Sequence, residues 1–219
     1  MKVESAFVGA RGVDSVPFST GGGLKDAKAL KASGIDFFVG YLGSVDSARL
    51  KAVVDAGLAF MPVTYAGRTN GAEAVANCKA LGLPAGCTVW LDLEGKTVDG
   101  VDWTEAAPAE KDRLASVLIG KINGWANAVA AAGFEPGLYE GSPQPLTGDE
   151  LAALRVVRYW KAPSRIFDRF GKVWDGPSNI GNCMFQMWPQ HYWKDTGVFV
   201  DVNMIGQDHR GRVPSWVIE

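Results

Sequence analysis

Asp92 and Glu94 are the two residues of this sequence whose types and spacing most clearly suggest chemistry. They end the run Cys87–Glu94, a mostly apolar, strand-like segment that stops at Gly95. Because successive side chains of a strand point to opposite faces, Trp90, Asp92 and Glu94 are predicted to share one face. The apolar residues between them are predicted to share the other face.

This pair of carboxyl groups would be costly in a buried strand. Each carboxylate loses its hydration, and two negative charges on one face repel each other. Such a pair is typical of acid–base chemistry in which one group holds a proton while the other stays ionised. The strand Cys87–Glu94 is therefore predicted to carry the centre of a catalytic site.

The elements that must position this pair are short. Apolar runs typical of strands alternate along the chain with helical patterns. The eight predicted strands are Ala6–Asp14, Asp36–Leu42, Leu58–Ala66, Cys87–Glu94, Phe134–Glu140, Val156–Ala162, Asn182–Trp188 and Val198–Ile205. The predicted helices are Leu24–Ala32, Ser47–Ala56, Ala72–Leu81 and Ala109–Ala132, with shorter candidates at Thr147–Ala153 and Ser164–Phe170. The first four helices are followed by the glycines that helix C-termini favour, Gly34, Gly57, Gly82 and Gly133.

This alternation predicts parallel strands and an α/β fold, in one domain over residues 1–219. Eight strands in a chain of this length favour a single (β/α)8 TIM-like barrel, with a doubly wound open sheet as the competing fold. The segment Pro189–Gly197 is predicted to be a loop rather than a helix. The last βα units are therefore expected to be irregular.

In a parallel barrel the active site lies at the C-terminal ends of the strands. Four acids fall at predicted strand ends and are the candidate catalytic residues: Asp14, Asp92, Glu94 and Asp201. Aromatic and amide side chains at the same ends are the candidate substrate-binding residues: Tyr41, Tyr65, Tyr139, Trp160, Gln186, Trp188 and Asn203. Acids among flat rings suit a sugar site, where a proton is transferred at the glycosidic oxygen and rings stack on pyranose faces.

Some of these residues also fit structural roles. Asp14 or Asp201 alone would suit a cap on the following turn, and Gln186 or Asn203 would suit a partner for buried backbone groups. Trp90 lies deep in its strand and is predicted to be a core residue. Glu140 falls on the face opposite its neighbour in the strand and is expected at the surface.

Composition excludes several classes of protein. The net charge of -2 argues against a dedicated nucleic-acid binder, and no apolar run approaches the ~20 residues of a membrane helix. The first residues lack a secretory signal, and three isolated cysteines fit a reducing cytoplasm, with one disulfide left open as a possibility. Hence synthesis in the cytoplasm, no membrane partner and a monomer are expected.

Other chemistries find little support in the sequence. With two histidines and no paired-histidine motif, no metal site is predicted, and no cofactor is expected. Gly21–Gly23 lacks the lysine of a phosphate-binding loop and is predicted to be a flexible loop. The basic segment Arg155–Lys172 is predicted to be a solvated helix face, or alternatively a patch for an anionic polymer.

The order of four short motifs resembles the glycoside-hydrolase-like family known as domain of unknown function 1906, which is related to the family 25 lysozymes. The motifs are Gly12-Val13-Asp14, Asp92-Leu93-Glu94, Phe185-Gln186-Met187-Trp188 and Val200-Asp201-Val202-Asn203, and the similarity runs from about Gly9 to Gln207. The resemblance implies a TIM-like barrel and, from the lysozyme relatives, cleavage of the bond between muramic acid and glucosamine in peptidoglycan. It also implies that Glu94 is the proton donor, that Asp92 orients substrate or supports the cationic transition state, and that Asp14 and Asp201 complete the cluster.

The resulting hypothesis is a lysozyme-like hydrolase of bacterial cell-wall glycan, of the endolysin type, that acts at the wall after release or from a virion. The alternatives are a catalytically inactive barrel that binds wall glycan, and a glycosidase acting on another polysaccharide such as a capsule polymer. The spacing of the carboxyl groups along the strand does not distinguish a retaining from an inverting enzyme. Burial and the neighbouring charge of Asp92 are both expected to raise the pKa of Glu94.

Overall fold

A computed structural model of the chain describes residues 1–16, 24–67, 69–194 and 198–219. Its strands are β1 Lys2–Ser5, β2 Arg11–Asp14, β3 Phe37–Tyr41, β4 Ala59–Tyr65, β5 Thr88–Leu93, β6 Thr97–Val98, β7 Val101–Asp102, β8 Glu135–Glu140, β9 Arg158–Lys161, β10 Ile166–Phe167, β11 Val173–Trp174, β12 Met184–Trp193, β13 Val198–Ile205 and β14 Ser215–Ile218. Its helices are α1 Leu24–Ala32, α2 Ser47–Asp55, α3 Gly71–Ala80, α4 Pro108–Ala131 and α5 Gly148–Ala152. The predicted loop at Gly21–Gly23 lies outside the described residues.

Among the described residues, eight strands close into a barrel in the order β2, β3, β4, β5, β8, β9, β12 and β13, and β13 returns to β2. This confirms the TIM-like barrel. The pairs from β2 round to β12 are parallel, but β13 is antiparallel to both of its neighbours. The prediction that the eighth strand is parallel is therefore wrong.

The reversal of β13 follows from the connection before it. β12 continues to Trp193, so most of the predicted loop Pro189–Gly197 is strand, and β12 pairs with β13 as a hairpin. An antiparallel pair can be joined by a short turn, whereas a parallel pair needs a long crossover, and few residues separate these two strands. As a result β13 enters the barrel from the mouth and runs downwards.

The predicted helix Ser164–Phe170 is also wrong, because this segment carries the strand β10 of a small hairpin with β11. The Asp168 carboxylate accepts hydrogen bonds from the backbone N–H groups of Phe170 and Lys172, at 2.9 and 3.0 Å. An aspartate bound to the backbone just after it competes with helix formation and favours a turn. The longer predicted helices and their terminal glycines are present, with positive φ at Gly34, Gly57, Gly82 and Gly133.

The basic segment Arg155–Lys172 is neither a helix face nor an open positive patch. Arg158 pairs with Glu135 at 3.1 Å, and the largely buried Arg169 pairs with Glu150 and Asp112. These acids come from other elements and offset the local excess of positive charge. Through these ion pairs the segment holds β9 and the loops after it against the rest of the barrel.

The barrel interior is filled by large side chains that neighbouring glycines accommodate. The Trp90 ring lies across Gly137 of β8, where an added Cβ would come within 2.5 Å of the ring. Trp90 is fully buried, as predicted, and its indole N–H donates to Met61 Sδ at 3.5 Å. A second apolar layer, which includes Val89 and Leu91, separates the strands from the helices. The face assignment of β5 is therefore confirmed.

The antiparallel pair of β1 and β14 closes the bottom of the barrel, a feature that the sequence patterns did not reveal. β14 pairs with the start of β4, where Val217 lies opposite Phe60. The buried Trp216 packs on Phe37 and on the edge of Phe7, with ring centroids 5.8 and 5.5 Å apart. The chain ends therefore seal the end of the barrel opposite the carboxyl ends of the parallel strands.

We predict that Trp216→Ala lowers the free energy of unfolding by about 3–5 kcal/mol, because a large buried side chain is replaced by a cavity. Denaturant unfolding measures this change. The matched control is Val8→Ala, an exposed position on the same end of the molecule, which should change the free energy by no more than about 0.5 kcal/mol. An equal effect for the two variants would show that packing of the β1–β14 pair against the barrel contributes little to stability.

Candidate active site

The four predicted acids meet at the mouth of the barrel. Asp14 ends β2, and Asp201 of β13 lies directly opposite it in the antiparallel register. Asp92 lies on β5, and Glu94 follows the end of that strand. An open cleft of about 430 Å³ lies above them, lined by Asp14, Ser15, Val16, Tyr41, Tyr65, Glu94, Gln190, Phe199 and Asp201.

Asp14 and Asp92 form the floor of this site. Both are buried. Desolvation raises the pKa of Asp14 well above its usual value, with a further contribution from the charge of Asp201. Desolvation, followed by the charge of Glu94, raises the pKa of Asp92 to about 8, although the Tyr41 hydroxyl, which donates to Asp92 Oδ2 at 3.2 Å, opposes the rise. Burial therefore favours the protonated form of both floor acids, and Asp92 stays mostly protonated at neutral pH.

Glu94 and Asp201 form the rim. Glu94 is exposed to solvent, while partial desolvation and then the charge of Asp201 raise its pKa. Asp201 accepts hydrogen bonds on separate oxygens, from Gln186 Nε2 at 2.6 Å and from the backbone N–H of Gln190 at 2.5 Å. The rim thus offers an accessible acid and a carboxylate held in one orientation.

The expectation that Asp92 is the charge that raises the pKa of Glu94 needs correction. The neighbouring charge that raises the pKa of Glu94 is that of Asp201, on the other side of the mouth, while the repulsion between Asp92 and Glu94 raises the pKa of the more deeply buried Asp92. The physical reason is burial, because Asp92 is itself protonated near neutrality and then carries no charge to act on its neighbour.

Two relays of the same design hold the acids on the β13 side. In the first, the Trp160 indole N–H donates to Asn203 Oδ1 at 3.1 Å, and Asn203 Nδ2 donates to Asp14 at 2.7 Å. In the second, the Tyr139 hydroxyl donates to Gln186 Oε1 at 2.6 Å, and Gln186 Nε2 donates to Asp201. Each aromatic donor fixes which way an amide points, and each amide presents its N–H to a carboxyl group. Gln186 and Asn203 thus donate to side-chain acids, and Asn203 Nδ2 also donates to the backbone carbonyl of Asp201 at 3.2 Å.

The predicted aromatic residues divide into two groups. The rings of Tyr41 and Tyr65 stack with centroids 4.6 Å apart and both border the cleft. Trp188 is exposed on β12. Tyr139 and Trp160 are buried in the barrel interior, and Trp160 is only 2% exposed. The expectation that Trp160 offers a face to a sugar is therefore wrong, because its ring packs against Tyr139 and Trp90 below the mouth.

Glu140 is not at the surface as expected, since it is fully buried. Its strand face is opposite that of Tyr139, as predicted, but that face packs under other elements rather than facing water. Asn182 Nδ2 donates to Glu140 Oε2 at 2.9 Å, and burial raises the pKa of Glu140 to about 8. This acid lies outside the lining of the cleft.

Four residues of the cleft lining were not among the predicted site residues: Ser15, Val16, Gln190 and Phe199. Gln190 has a positive φ of 53°, in the irregular part of β12, which turns its N–H towards Asp201. Phe199 lines the cleft two residues before Asp201 on β13. The signal for Phe199 was its position, because in a strand residues two apart share a face. Gln190 gave no signal, since it fell in a segment predicted to be a loop.

The remaining features bear on cofactors and partners. Within the described ranges, no group of histidine, cysteine and acidic residues has the arrangement of a metal site. In the same part of the chain, no helix is long and apolar enough to cross a membrane. Cys78, Cys87 and Cys183 are buried free thiols, and burial raises the pKa of each to about 12.

The barrel and its acidic mouth are compatible with a glycoside-hydrolase-like protein, and sequence comparison shows this family. A family model described as an Rv2525c-like, glycoside hydrolase-like domain matches residues 24–213. The chain therefore belongs to this family, which confirms the resemblance noted in the sequence. No protein of curated function matches it in sequence.

Solved structures share this fold at low sequence identity. A bacterial lysozyme from Streptomyces coelicolor is 14% identical, with a TM-score of 0.58 over 94% of this chain and 95% of that one. The spore cortex lytic enzyme SleM of Clostridium perfringens is 15% identical, with a TM-score of 0.58 over 96% of this chain and 71% of that one. An uncharacterised B. stearothermophilus protein is 17% identical, with a TM-score of 0.57 over 90% and 96%.

We predict that Asp92→Asn flattens the dependence of stability on pH. The unfolded chain releases this proton near pH 4, whereas the folded chain holds it until about pH 8, so the folded state binds more protons between these values. The free energy of unfolding of the parent therefore falls as pH rises through this window, and the variant should lose up to about 1.4 kcal/mol per pH unit of that slope. Urea unfolding at pH 4 to 8 measures both slopes, and parallel curves would contradict the assignment.

We also predict that Asn203→Leu lowers the free energy of unfolding by about 2–5 kcal/mol. The change leaves the Trp160 N–H and the Asp14 carboxyl buried without their partner, and each such group costs about 1–3 kcal/mol. Thermal or denaturant unfolding tests this, with Gln207→Leu, an exposed position just beyond the same strand, as the control. A loss no larger than that of the control would show that the relay contributes little.

Proposed function

We propose that this protein is a lysozyme-like glycoside hydrolase that cleaves bacterial cell-wall glycan. The observation that carries the proposal is the cluster of four acids beneath one open cleft, in which Glu94 is accessible and has a raised pKa. The family membership supports a glycoside-hydrolase-like domain, and the structural neighbours named as lysozyme and spore cortex lytic enzyme suggest the wall as the substrate.

In the proposed mechanism Glu94 is the general acid. Its raised pKa makes Glu94 protonated more often than an ordinary carboxyl group, and the protonated form donates to the glycosidic oxygen as the bond to the leaving sugar breaks. Asp92 lies beneath the cleft, so it is poorly placed to reach that oxygen directly. Burial keeps Asp92 mostly protonated near neutrality, so Glu94 does not lie beside a second full negative charge.

The positive charge that develops on the sugar ring needs a carboxylate nearby. Asp201 has this role in the proposal, because two donors hold it at the rim and its charge already acts on Asp14 and Glu94. This differs from the role that the family resemblance implies for Asp92. The Tyr41–Tyr65 stack offers aromatic surface to the sugars beside the acids.

We predict that Glu94→Gln lowers the rate of wall cleavage by about 10²–10⁴-fold, because glutamine has nearly the same shape and cannot donate a carboxylic proton. Release of reducing sugar ends from purified cell walls measures the rate. The control is Glu73→Gln, an exposed acid in the first turn of α3, which should cleave like the parent. A Glu94→Gln variant as fast as the parent would overturn the proposed acid.

The products separate the proposal from its alternatives. Reducing ends without new amino groups indicate a glycosidase rather than an amidase or peptidase. Co-sedimentation with walls but no product would favour an inactive glycan-binding barrel. Cleavage of a capsule polymer in preference to cell walls would keep the chemistry and change the substrate.

A further inference from the structure

The hairpin of β12 and β13 extends past the mouth of the barrel. Tyr192 of β12 and Phe199 of β13 lie directly opposite each other in its register. Their rings are 5.1 Å apart with planes inclined at 55°. Tyr192 is 49% exposed and Phe199 is 58% exposed. A pair of large aromatic rings is therefore presented to solvent.

This pair continues the wall of the cleft. Phe199, Asp201 and Asn203 alternate along β13 and so share the face that looks into the mouth. Val200 and Val202 take the other face and are buried beneath the helices. Phe199 lines the cleft, and its partner Tyr192 extends the same aromatic surface away from the acids.

The pair is also held firmly at its base. The Ser15 hydroxyl donates to the backbone carbonyl of Phe199 at 2.8 Å, which ties β13 to the segment after β2. The Gln190 N–H donates to Asp201 and ties β12 to the rim acid. These bonds link the strands that carry the rings to the segments that carry the candidate catalytic carboxylates, and a binding subsite that keeps a chain in register needs such positioning.

From this arrangement we infer that Tyr192 and Phe199 form a second carbohydrate subsite, which stacks on sugar rings of a long glycan outside the cleavage point on the Asp201 side. The inference rests on the proposed function and names how that site would prefer polymers over short fragments. A glycan seated over Glu94 and Asp201 must leave the cleft across its rim, and on the β13 side that rim is the aromatic pair. Flat apolar rings match the apolar faces of pyranoses, and the surface needs no charge for this role.

The test measures binding rather than cleavage. Glu94→Gln, which blocks turnover, serves as the background, and calorimetry compares a disaccharide and a hexasaccharide of N-acetylglucosamine and N-acetylmuramic acid prepared from cell walls. Tyr192→Ala should weaken the hexasaccharide about 3–10-fold and change the disaccharide less than 2-fold, because the loss of one stacked ring acts only on the longer chain. Tyr192→Phe keeps the ring and should bind both sugars within 2-fold of the background.

The control is Phe7→Ala, which removes a ring of similar exposure, 55%, at the opposite end of the barrel and should leave both affinities unchanged. An equal loss for the two sugars, no loss for either, or a loss with Tyr192→Phe as large as with Tyr192→Ala would overturn the subsite. If the background protein binds neither sugar, the proposed wall-glycan function itself fails. If the hexasaccharide binds with equal affinity before and after Tyr192→Ala, the second subsite is overturned and the proposed wall-glycan function still stands.

Discussion

The structure is organised around one electrostatic constraint, which is that four acids share a single barrel mouth. They cannot all be ionised when two of them are buried, since desolvation and mutual repulsion both favour the neutral form. The molecule meets this constraint by placing the acids at different depths in the mouth. Asp14 and Asp92 lie on the floor, where burial favours their protonated forms, while Glu94 and Asp201 lie at the rim, where water and hydrogen-bond donors reach them. The floor acids and the rim acids therefore have different surroundings at one mouth.

The reversed strand β13 makes this division possible. Because it enters the barrel from the mouth, its first residues lie highest, and Phe199, Asp201 and Asn203 descend in that order along one face. The same strand thus supplies an aromatic surface outside the cleft, a carboxylate at the rim and an amide on the floor. A parallel strand would present these residues in the opposite vertical order. The hairpin with β12 then adds Gln186, which holds Asp201 from the side.

Local patterns in the sequence were sufficient to predict the barrel and the four acids that meet at its mouth. Alternation along the predicted strand Cys87–Glu94 placed Asp92 on the inner face, and the limits of β13 were predicted correctly at Val198–Ile205. Strand direction was not predictable, because a period of two residues is the same for parallel and antiparallel strands. Glu140 was assigned to the correct face of its strand but to the wrong environment, because alternation does not tell which elements cover that face.

The relays were beyond sequence reasoning for a different reason. They join residues that are far apart in the chain, such as Trp160 with Asn203 and Tyr139 with Gln186. An amide at a strand end has no local signature that says whether it binds backbone, substrate or a carboxyl group. The pairing of the terminal strands β1 and β14 was missed because each strand has four residues, too few for a clear periodic pattern.

The most direct test of this account is the titration of the individual carboxyl groups by ¹³C NMR, with signals assigned through Asp92→Asn and Glu94→Gln. Asp92 is expected to titrate near pH 8, and Asp14 and Glu94 are also expected to titrate above their ordinary ranges. The Glu94 signal should move to lower pH in Asp201→Asn, because the charge across the mouth is gone. Titration of Asp14, Asp92 and Glu94 all below about pH 5 would contradict the central claim, since each would then behave like an ordinary solvated acid.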